Sequence, residues 1–448
     1  MPNPFDDESA EFYVLVNAEQ QHSLWPVFAS VPDGWTVAAG PDGRQNCITY
    51  MDDNWTDMRP KSLADAMAAD RAGAELAGAD VKVRRVRFES GDCAVDIAVD
   101  DAPGYGDRPD LWPSVGEYPC YDPLVYYIMT HDEVRNSAFR QALLPHVPGR
   151  VVLDLGTGGD LKWALEAAGH GARRVFAIEA MADSHAAAAA LLAKSAWADT
   201  IDLRYGESFA LSLPELAAVC VAELIGSIAS SEGMLTAMSD ARNRLLAPDA
   251  IVVPATASTL AAAVSLREIF PDGLAFSRDA LPYVQEIFEL CGKPFDLRLS
   301  VANLPPDIIM STAEPVETFA CDGSAPLSAT SQARLIITRS GAIDGLLCWL
   351  RLEAGGEAPA LDSLRDKTSW IPVYLPLFDE PVSVAPGDAL EVDFERSVSD
   401  DGIHPDYHVL ATLSAGSAVH HASFSSPHHG DVLGKASVYR ELFGLTGA

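Results

Sequence analysis

The sequence predicts a multidomain protein of the α/β and β classes: a small α+β module, then an open α/β sheet, then an antiparallel β-barrel. Three patterns support this. Short alternating strands fill the first part of the chain, strands alternating with helices begin near residue 121, and short strands separated by Pro and Gly begin near residue 254. We place the domains at residues 1–68, 69–120 (a connector), 121–253 and 254–448.

Charge and composition limit the possible functions. The chain has 448 residues and a formal net charge of −33, which argues against a nucleic acid or an anionic membrane as partner and favours a cationic substrate. The N-terminus lacks the pattern of a signal peptide, and no apolar run reaches the ~18 residues of a membrane span. The seven cysteines have no metal-type spacing, and the histidines at 420, 421, 428 and 429 lack a supporting carboxylate pattern. We therefore expect a cytoplasmic protein without a metal site.

The first module reads as a small sheet with a helix against it. Phe12–Val16 alternates apolar and polar residues, Gly34–Ala39 is a second strand-like run, and Pro60-Lys61-Ser62 is a helix start signal. An Ala-rich stretch at 65–76 should complete that helix.

Four motifs stand out in this module: Asn3-Pro4-Phe5-Asp6-Asp7, Gln21-His22-Ser23-Leu24-Trp25-Pro26, Pro32-Asp33-Gly34-Trp35 and Asn54–Leu63. They resemble the MbtH-like proteins, which are small partners of the adenylation domains of nonribosomal peptide synthetases. The resemblance implies that one face of the module docks an adenylation domain and that two indoles grip a small apolar side chain there. The implied docking residues are Ser23, Leu24, Trp25 and Trp35.

The connector contains one clear element. Two runs at 81–88 and 93–99 alternate strictly around a Gly-Asp turn, which predicts a β-hairpin. The density of Pro, Gly and Asp from residue 100 to 119 predicts a loop. No family resemblance covers this part.

The third domain carries a nucleotide-binding pattern. An apolar strand at 151–155, which includes Asp154, ends in Gly156 and Gly158 ahead of a helix at 161–168. A second strand ends in Glu179 about twenty residues on, where a ribose diol needs acceptors. Asp160 stands where a dinucleotide site has its third glycine, which suits an adenosyl ligand without phosphates.

Two carboxylates follow the fourth strand, at Glu223 and Glu232 on either side of a turn with Gly226. A guanidinium is the natural guest for such a pair, because its planar fork of donors suits carboxylates. Upstream, residues 126–143 read as one helix with Met129, Asp132 and Arg135 on one face.

These features resemble the protein arginine methyltransferases. The resemblance implies a Rossmann-like class I methyltransferase domain, a β-barrel with a helical dimerisation arm at about 266–291, a homodimer, and S-adenosylmethionine as cofactor, with S-adenosylhomocysteine as product. It implies that Arg135 binds the methionyl carboxylate of S-adenosylmethionine and that Glu179 binds its ribose. The implied catalytic residues are Glu223, Glu232 and Asp132. The implied cofactor-binding residues are Met129, Arg135, Asp154, Gly156, Gly158, Glu179, Ser208, Phe209 and Glu223, and the implied substrate-binding residues are Glu223, Glu232 and Trp370.

The departures from this family shape the hypothesis. Ser369 replaces the histidine of the family's Thr-His-Trp loop, and the aromatic residues of the double-glutamate turn are replaced by Ser227, Ala229, Ser230 and Ser231. The leading hypothesis is methylation of arginine, free or bound to a carrier protein, in nonribosomal peptide synthesis. The alternatives are another nitrogen or oxygen acceptor, or a non-catalytic partner of an adenylation domain.

Overall fold

The computed structural model describes residues 11–32, 34–54, 61, 83–91, 93–101, 108–114, 123–305, 307–430 and 432–445. They fall into two compact units, one containing residues 11–54 and the other running from the hairpin at 83–100 to the C-terminal residues. Within the described ranges, no helix combines the length and the apolar composition needed to cross a membrane.

The smaller unit is a three-stranded antiparallel sheet in the order β2–β1–β3, with a helix packed against it. Its core contains Phe12, Val14 and Cys47. The two predicted strands are confirmed, but α1 is not predicted from sequence; the helix expected near Pro60 and the Ala-rich stretch at 65–76 lie outside the described residues, Lys61 excepted. The elements are β1 (Glu11–Asn17), β2 (His22–Pro26), β3 (Trp35–Gly43) and α1 (Arg44–Asn54).

Strand register places three of the four expected docking residues on one face of this sheet. Along β1, Tyr13, Leu15 and Asn17 alternate onto the same face, and their cross-strand partners are Trp25, Ser23 and Trp35 respectively. Leu24 pairs with Val14 and packs on the hydrophobic core. The two indoles therefore share a face, whereas Leu24 belongs to the opposite one.

A five-stranded parallel sheet, in the order β11–β10–β7–β8–β9, forms the first half of the larger unit. Its central strands are buried almost throughout and are largely apolar, as expected for a sheet covered on both faces. The strands are β7 (Val151–Leu155), β8 (Arg174–Glu179), β9 (Ile201–Tyr205), β10 (Ala217–Ala222) and β11 (Leu246–Val253). The helices around it are α2 (Pro123–Thr130), α3 (Glu133–Leu143), α4 (Lys162–Gly169), α5 (Ala182–Leu192) and α6 (Met234–Arg244).

The prediction of one helix over residues 126–143 is wrong in its middle. The chain forms α2 and α3 instead, and Asp132 is the N-cap of α3, where its side chain accepts a hydrogen bond from the backbone N–H of Arg135. A cap residue has non-helical backbone angles, so the helix restarts there.

The second half of the larger unit is built from β-sheets around one hydrophobic core, as predicted. A sheet in the order β15–β12–β18–β20–β14–β6 and a sheet in the order β16–β22–β23–β24 are both antiparallel, and β17 pairs with β21. The expected strands near 333–338, 345–352, 371–375 and 407–413 are all present. The strands are β6 (Asp110–Ser114), β12 (Thr256–Val264), β14 (Arg298–Ala302), β15 (Glu314–Ala320), β16 (Ala329–Ile336), β17 (Gly341–Ile343), β18 (Gly345–Glu353), β19 (Leu361–Asp362), β20 (Val373–Pro376), β21 (Val382–Val384), β22 (Ala389–Val398), β23 (Pro405–Ala415) and β24 (Ala418–Ser426).

The hairpin of the expected connector is part of this larger unit, and it covers the segment expected to form an arm. Phe288 is buried, with its ring 5.6 Å from that of Phe88 in the hairpin and 5.4 Å from that of Phe443 near the C-terminus. The segment at 266–291 therefore packs within its own chain, and the homodimer stays a prediction. The elements are β4 (Val83–Ser90), β5 (Cys93–Asp100), α7 (Leu266–Ile269), β13 (Phe276–Ser277), α8 (Leu281–Leu290) and α9 (Ser437–Leu442).

Candidate active site

A cavity opens at the carboxyl ends of the parallel strands, where open α/β sheets build their sites. It encloses about 1250 Å³, counting its open mouth. Its walls come from the turns after β7, β8, β9 and β10, from α2 and α3, and from a turn between β22 and β23. Nine of the predicted site residues line it: Met129, Arg135, Gly156, Gly158, Glu179, Ser208, Phe209, Glu223 and Glu232.

The glycine turn after β7 brings bare backbone to the cavity. Gly156 and Gly158 have φ angles of +76° and +70°, which residues with a side chain rarely adopt. A Cβ atom at Gly156 would lie 3.0 Å from Cδ2 of Leu224. Any larger residue there would be strained and would press on the first residue after Glu223.

Glu179 lies buried at the end of β8. Its Oε2 accepts a hydrogen bond from the backbone N–H of Gly158 at 2.9 Å, and its Oε1 accepts one from that of Met181 at 2.8 Å. These bonds fix the carboxylate and leave further lone pairs, because a carboxylate can accept about four hydrogen bonds. Glu179 can therefore accept hydroxyl groups from a ligand.

Arg135 and Glu223 form a buried ion pair. Nη1 of Arg135 donates to Oε2 of Glu223 at 2.8 Å, and Nη2 donates to the carbonyl oxygen of Met129. Among the described residues, Nε of Arg135 has no hydrogen-bond partner, although it is buried. Burial raises the pKa of Glu223 to about 7; Arg135 opposes this shift, and Glu232 and Asp132 add to it.

The double-glutamate loop, residues 223–232, is tightly folded. A Cβ atom at Gly226 would lie 2.0 Å from Oγ of Ser231, so only glycine fits there. The indole N–H of Trp370 donates to the carbonyl oxygen of Ile225 at 2.6 Å. Trp370 thus supports this loop from behind and does not line the cavity.

A buried polar network fixes the far end of the same loop. Glu317 accepts hydrogen bonds from the backbone N–H and the hydroxyl of Ser230, at 3.1 and 2.9 Å, and one from Thr259 at 2.7 Å. Arg396 pairs with Glu317 at 2.8 Å, and both side chains are about 95% buried. Ser230 stands two residues before Glu232, so this ion pair helps to set the position of that glutamate.

Asp132 and Asp154 lie outside the cavity wall. Besides capping α3, Asp132 accepts hydrogen bonds from the backbone N–H of Ser369 at 2.7 Å and from its hydroxyl at 3.1 Å. Ser369 thus contacts the partner expected for the missing histidine. Asp154 accepts a hydrogen bond from the Thr157 hydroxyl at 2.6 Å, and burial raises its pKa to about 7. It shapes the glycine turn from behind.

Sequence reasoning missed two wall residues from the barrel, Ile403 and His404. No local motif signals them, because the turn reaches the cavity only through the packing of the barrel. His404 belongs to a cluster with Asp401 and His428 whose ligand-type atoms lie within 4.8 Å of one another. The two imidazole rings stack at 4.0 Å and 9°, so their in-plane lone pairs are nearly parallel and do not converge on one ion.

The cavity is strongly acidic. Five carboxylates line it, against two basic side chains. A cationic ligand is therefore favoured, and an anionic phosphate is not. The acidic residues are Asp160, Glu179, Glu207, Glu223 and Glu232, and the basic ones are Arg135 and Lys162.

A parallel sheet with a glycine turn, a strand-end glutamate and no phosphate cradle, followed by a β-barrel, defines a class I methyltransferase architecture. Comparisons with known proteins agree. The family described as MbtH-like protein matches residues 1–67. The enterobactin biosynthesis protein YbdZ of Escherichia coli (strain K12) is 34% identical over 67 residues, which is 15% of this chain and 93% of that protein.

The remaining part of the chain has other relatives. An arginine N(omega)-methyltransferase of Streptomyces achromogenes subsp. streptozoticus is 28% identical over 288 residues, 62% of this chain and 78% of that protein. The solved PRMT1 enzyme–prozyme heterotetrameric complex of Trypanosoma brucei with AdoHcy has a similar fold, with a TM-score of 0.54 and 20% identity, covering 67% of this chain and 97% of that one. The chain belongs to the MbtH-like family through its N-terminal module, and its larger unit has the fold of the protein arginine methyltransferases.

Proposed function

We propose that the chain is an S-adenosylmethionine-dependent N-methyltransferase that acts on the guanidino group of arginine, free or bound to a carrier protein. We further propose that its MbtH-like module docks an adenylation domain of a nonribosomal peptide synthetase. The observation that carries the catalytic proposal is the presence of Glu223 and Glu232 in one acidic cavity beside the glycine turn. The relatives named above support the same chemistry.

The residues present fit the cofactor. Arg135 is buried, and its Nε, which has no hydrogen-bond partner among the residues that the structure describes, can donate to the methionyl carboxylate. Glu179 has acceptor capacity for ribose hydroxyls, and the backbone at Gly156 and Gly158 allows close approach. Ser208 and Phe209 would hold the adenine side. When bound, S-adenosylmethionine supplies an electrophilic methyl group carried on a cationic sulfur.

The two glutamates can meet the requirements for methylating a guanidinium. Its lone pairs are delocalised and its charge repels a second cation, so it needs compensating negative charge in a desolvated pocket. Glu223 and Glu232 supply that charge and orient the nitrogen that accepts the methyl group. The absence of aromatic residues from the double-glutamate loop favours a small or carrier-bound arginine over the substrate of a protein methyltransferase.

Labelled S-adenosylmethionine, followed by mass spectrometry, tests this proposal. We expect labelled methylarginine from free L-arginine or from arginine loaded on a carrier domain. Glu223→Gln should lower the rate by about 100-fold or more, as expected when a charge that stabilises the transition state is removed. Glu391→Gln is the matched control, because Glu391 is an exposed glutamate paired with Arg334 on the barrel surface.

Calorimetry of S-adenosylhomocysteine binding accompanies the assay. Methylarginine from the wild type and from Glu391→Gln, but not from Glu223→Gln, would support the proposal. Cofactor binding with no labelled arginine from either form of substrate would reject arginine and leave another acceptor. The absence of both binding and product would indicate a non-catalytic partner protein.

A further inference from the structure

His404 places an imidazole close to Gly233, the residue after the second glutamate of the double-glutamate loop. It lies on the turn between β22 and β23, lines the cavity and is 6% exposed. A Cβ atom at Gly233, the residue after Glu232, would lie 3.8 Å from Cδ2 of His404. The hydroxyl of Thr236 donates to the carbonyl oxygen of Ile403 at 2.9 Å and ties this turn to α6.

Asp401 orients the imidazole. Its Oδ2 lies 2.6 Å from Nδ1 of His404, and its Oδ1 accepts hydrogen bonds from the backbone N–H groups of Ile403 and His404 and from the Ser399 hydroxyl, at 2.7, 2.9 and 2.8 Å. Although burial opposes it, these bonds hold the pKa of Asp401 well below its ordinary value. An ionised Asp401 requires the proton of a neutral imidazole to sit on Nδ1, which leaves Nε2 as an acceptor.

The other ring nitrogen is not used by the fold. Nε2 of His404 is buried and has no hydrogen-bond partner among the described residues. Leaving a buried polar atom unpaired is destabilising, so such an atom calls for an explanation. The ring of His428 stacks on that of His404 at 4.0 Å and keeps its plane fixed. The imidazole of His404 is thus held in one orientation, and the lone pair of its Nε2 is not used by any described residue.

Two other carboxylates expected to be catalytic, Asp132 and Glu223, are already engaged. Asp132 accepts three hydrogen bonds, two of them from Ser369, and Ser369 is itself the donor in both. Glu223 is paired with Arg135. In the proposed reaction the acceptor nitrogen bonds to the methyl carbon, the sulfur–carbon bond breaks, and the nitrogen must lose one proton.

We propose that His404 is the catalytic residue that takes this proton, with Asp401 as its positioning residue. This inference rests on the proposed function. The proton passes from the guanidinium nitrogen to Nε2, and Asp401 stabilises the resulting imidazolium until the proton leaves to solvent. Two titratable groups contact His404: Asp401 on its own turn, and His428, with His429 stacked behind it. Glu232 on the double-glutamate loop lines the same cavity, and Arg396 on β22, whose charge is matched by Glu317, lines a second, smaller cavity that His404 also borders.

Steady-state kinetics of His404→Gln and Asp401→Asn test the proposal. We expect kcat to fall by about 100-fold or more in His404→Gln, within the range for loss of a general base, with little change in the KM for arginine. The remaining activity should rise with pH, because hydroxide replaces the imidazole. His421→Gln is the matched control, since His421 is exposed and contacts Thr412 at the other end of the barrel strands.

A second readout does not depend on turnover. In protein labelled with ¹⁵N-histidine and free of S-adenosylmethionine, L-arginine should shift the Nε2 resonance of His404, assigned by its absence in His404→Gln. Asp401→Asn should change the tautomer seen in the same spectrum. An arginine-dependent shift of the Nε2 resonance and a changed tautomer in Asp401→Asn, together with slow turnover by His404→Gln, would support the proposal.

Three outcomes would overturn the proposal. If the wild type makes methylarginine and His404→Gln matches it, or if arginine leaves the Nε2 resonance unchanged, His404 is not the proton acceptor and the proposed function still stands. If the wild type makes no methylarginine, the proposed function fails, and the role of His404 fails with it.

Discussion

Glu223 is a buried carboxylate whose ionisation is finely balanced. Burial raises its pKa to about 7, and the Arg135 guanidinium favours the ionised form without cancelling that shift. A second guanidinium, from a bound arginine, would favour the ionised form further. The same residue would then be partly protonated in the free protein and fully ionised in the complex.

This balance predicts a pH-dependent affinity for L-arginine. Because the ionised carboxylate attracts the cation and the neutral acid does not, the Kd should be constant above pH ~7 and rise about tenfold per pH unit below it. Arginine binding should also release protons below pH 7, since it lowers the pKa of Glu223. Calorimetry with S-adenosylhomocysteine present, repeated in buffers of different ionisation enthalpy, measures both effects. Glu223→Gln should bind weakly at every pH; the same pH slope in that variant would contradict the assignment.

The double-glutamate loop depends on an ion pair that lies outside the cavity. Glu317 and Arg396 join three parts of the chain, because Glu317 also binds Ser230 and Thr259, and Arg396 donates to the carbonyl oxygens of Pro326 and Leu327. Every oxygen of Glu317 is thus engaged. A satisfied buried network of this kind fixes one loop conformation rather than simply adding stability.

Replacing one partner of this ion pair should destabilise the protein strongly, whereas replacing both partners should destabilise it much less. Glu317→Gln leaves Arg396 buried without its counter-charge, so we expect the free energy of unfolding to fall by about 3–5 kcal/mol and kcat to fall as Ser230 and the nearby Glu232 shift. Glu317→Gln/Arg396→Met should recover most of the lost stability but not the lost activity. Urea denaturation and the methylation assay measure the two effects.

The exposed pair Arg334–Glu391 is the control for this experiment, because each side chain is 67% exposed. Glu391→Gln should change the free energy of unfolding by no more than about 0.5 kcal/mol. Equal destabilisation by Glu317→Gln and Glu391→Gln would show that the buried pair does not anchor the loop.

At the scale of the whole molecule, local sequence patterns predict the strands and the strand-end residues. They do not predict contacts that form only when distant parts of the chain pack together. Apolar runs located strands of the parallel sheet, short runs separated by Pro and Gly located strands of the barrel, and the strand-end rule brought Glu179 and Glu223 to one cavity. The break at Asp132 was missed because the helical pattern continues through it. The sequence does not indicate His404, because the barrel turn approaches α6 only in the folded chain. Trp370 is expected to line the substrate cavity, but it supports the double-glutamate loop from behind.

The division into two units predicts separable functions. The described residues that line the cavity all lie between 126 and 404, whereas Trp25 and Trp35 share one sheet face of the smaller unit. Full-length Trp25→Ala/Trp35→Ala should therefore lose binding to an adenylation domain that requires an MbtH-like partner, because flat aromatic side chains dominate such interfaces. Methylation of free L-arginine should keep its kcat/KM. Co-expression with that domain and affinity capture measure the first effect, and the mass-spectrometric assay measures the second.

The matched control is Thr36→Ala, which alters the neighbouring residue on the same strand, paired with Val16 and directed to the other face. It should bind the adenylation domain as the wild type does. Undiminished capture of the domain by the double tryptophan variant would show that docking uses another surface. A matching fall in both capture and free-arginine turnover would show that the two units act together, so that the module takes part in catalysis as well as delivery.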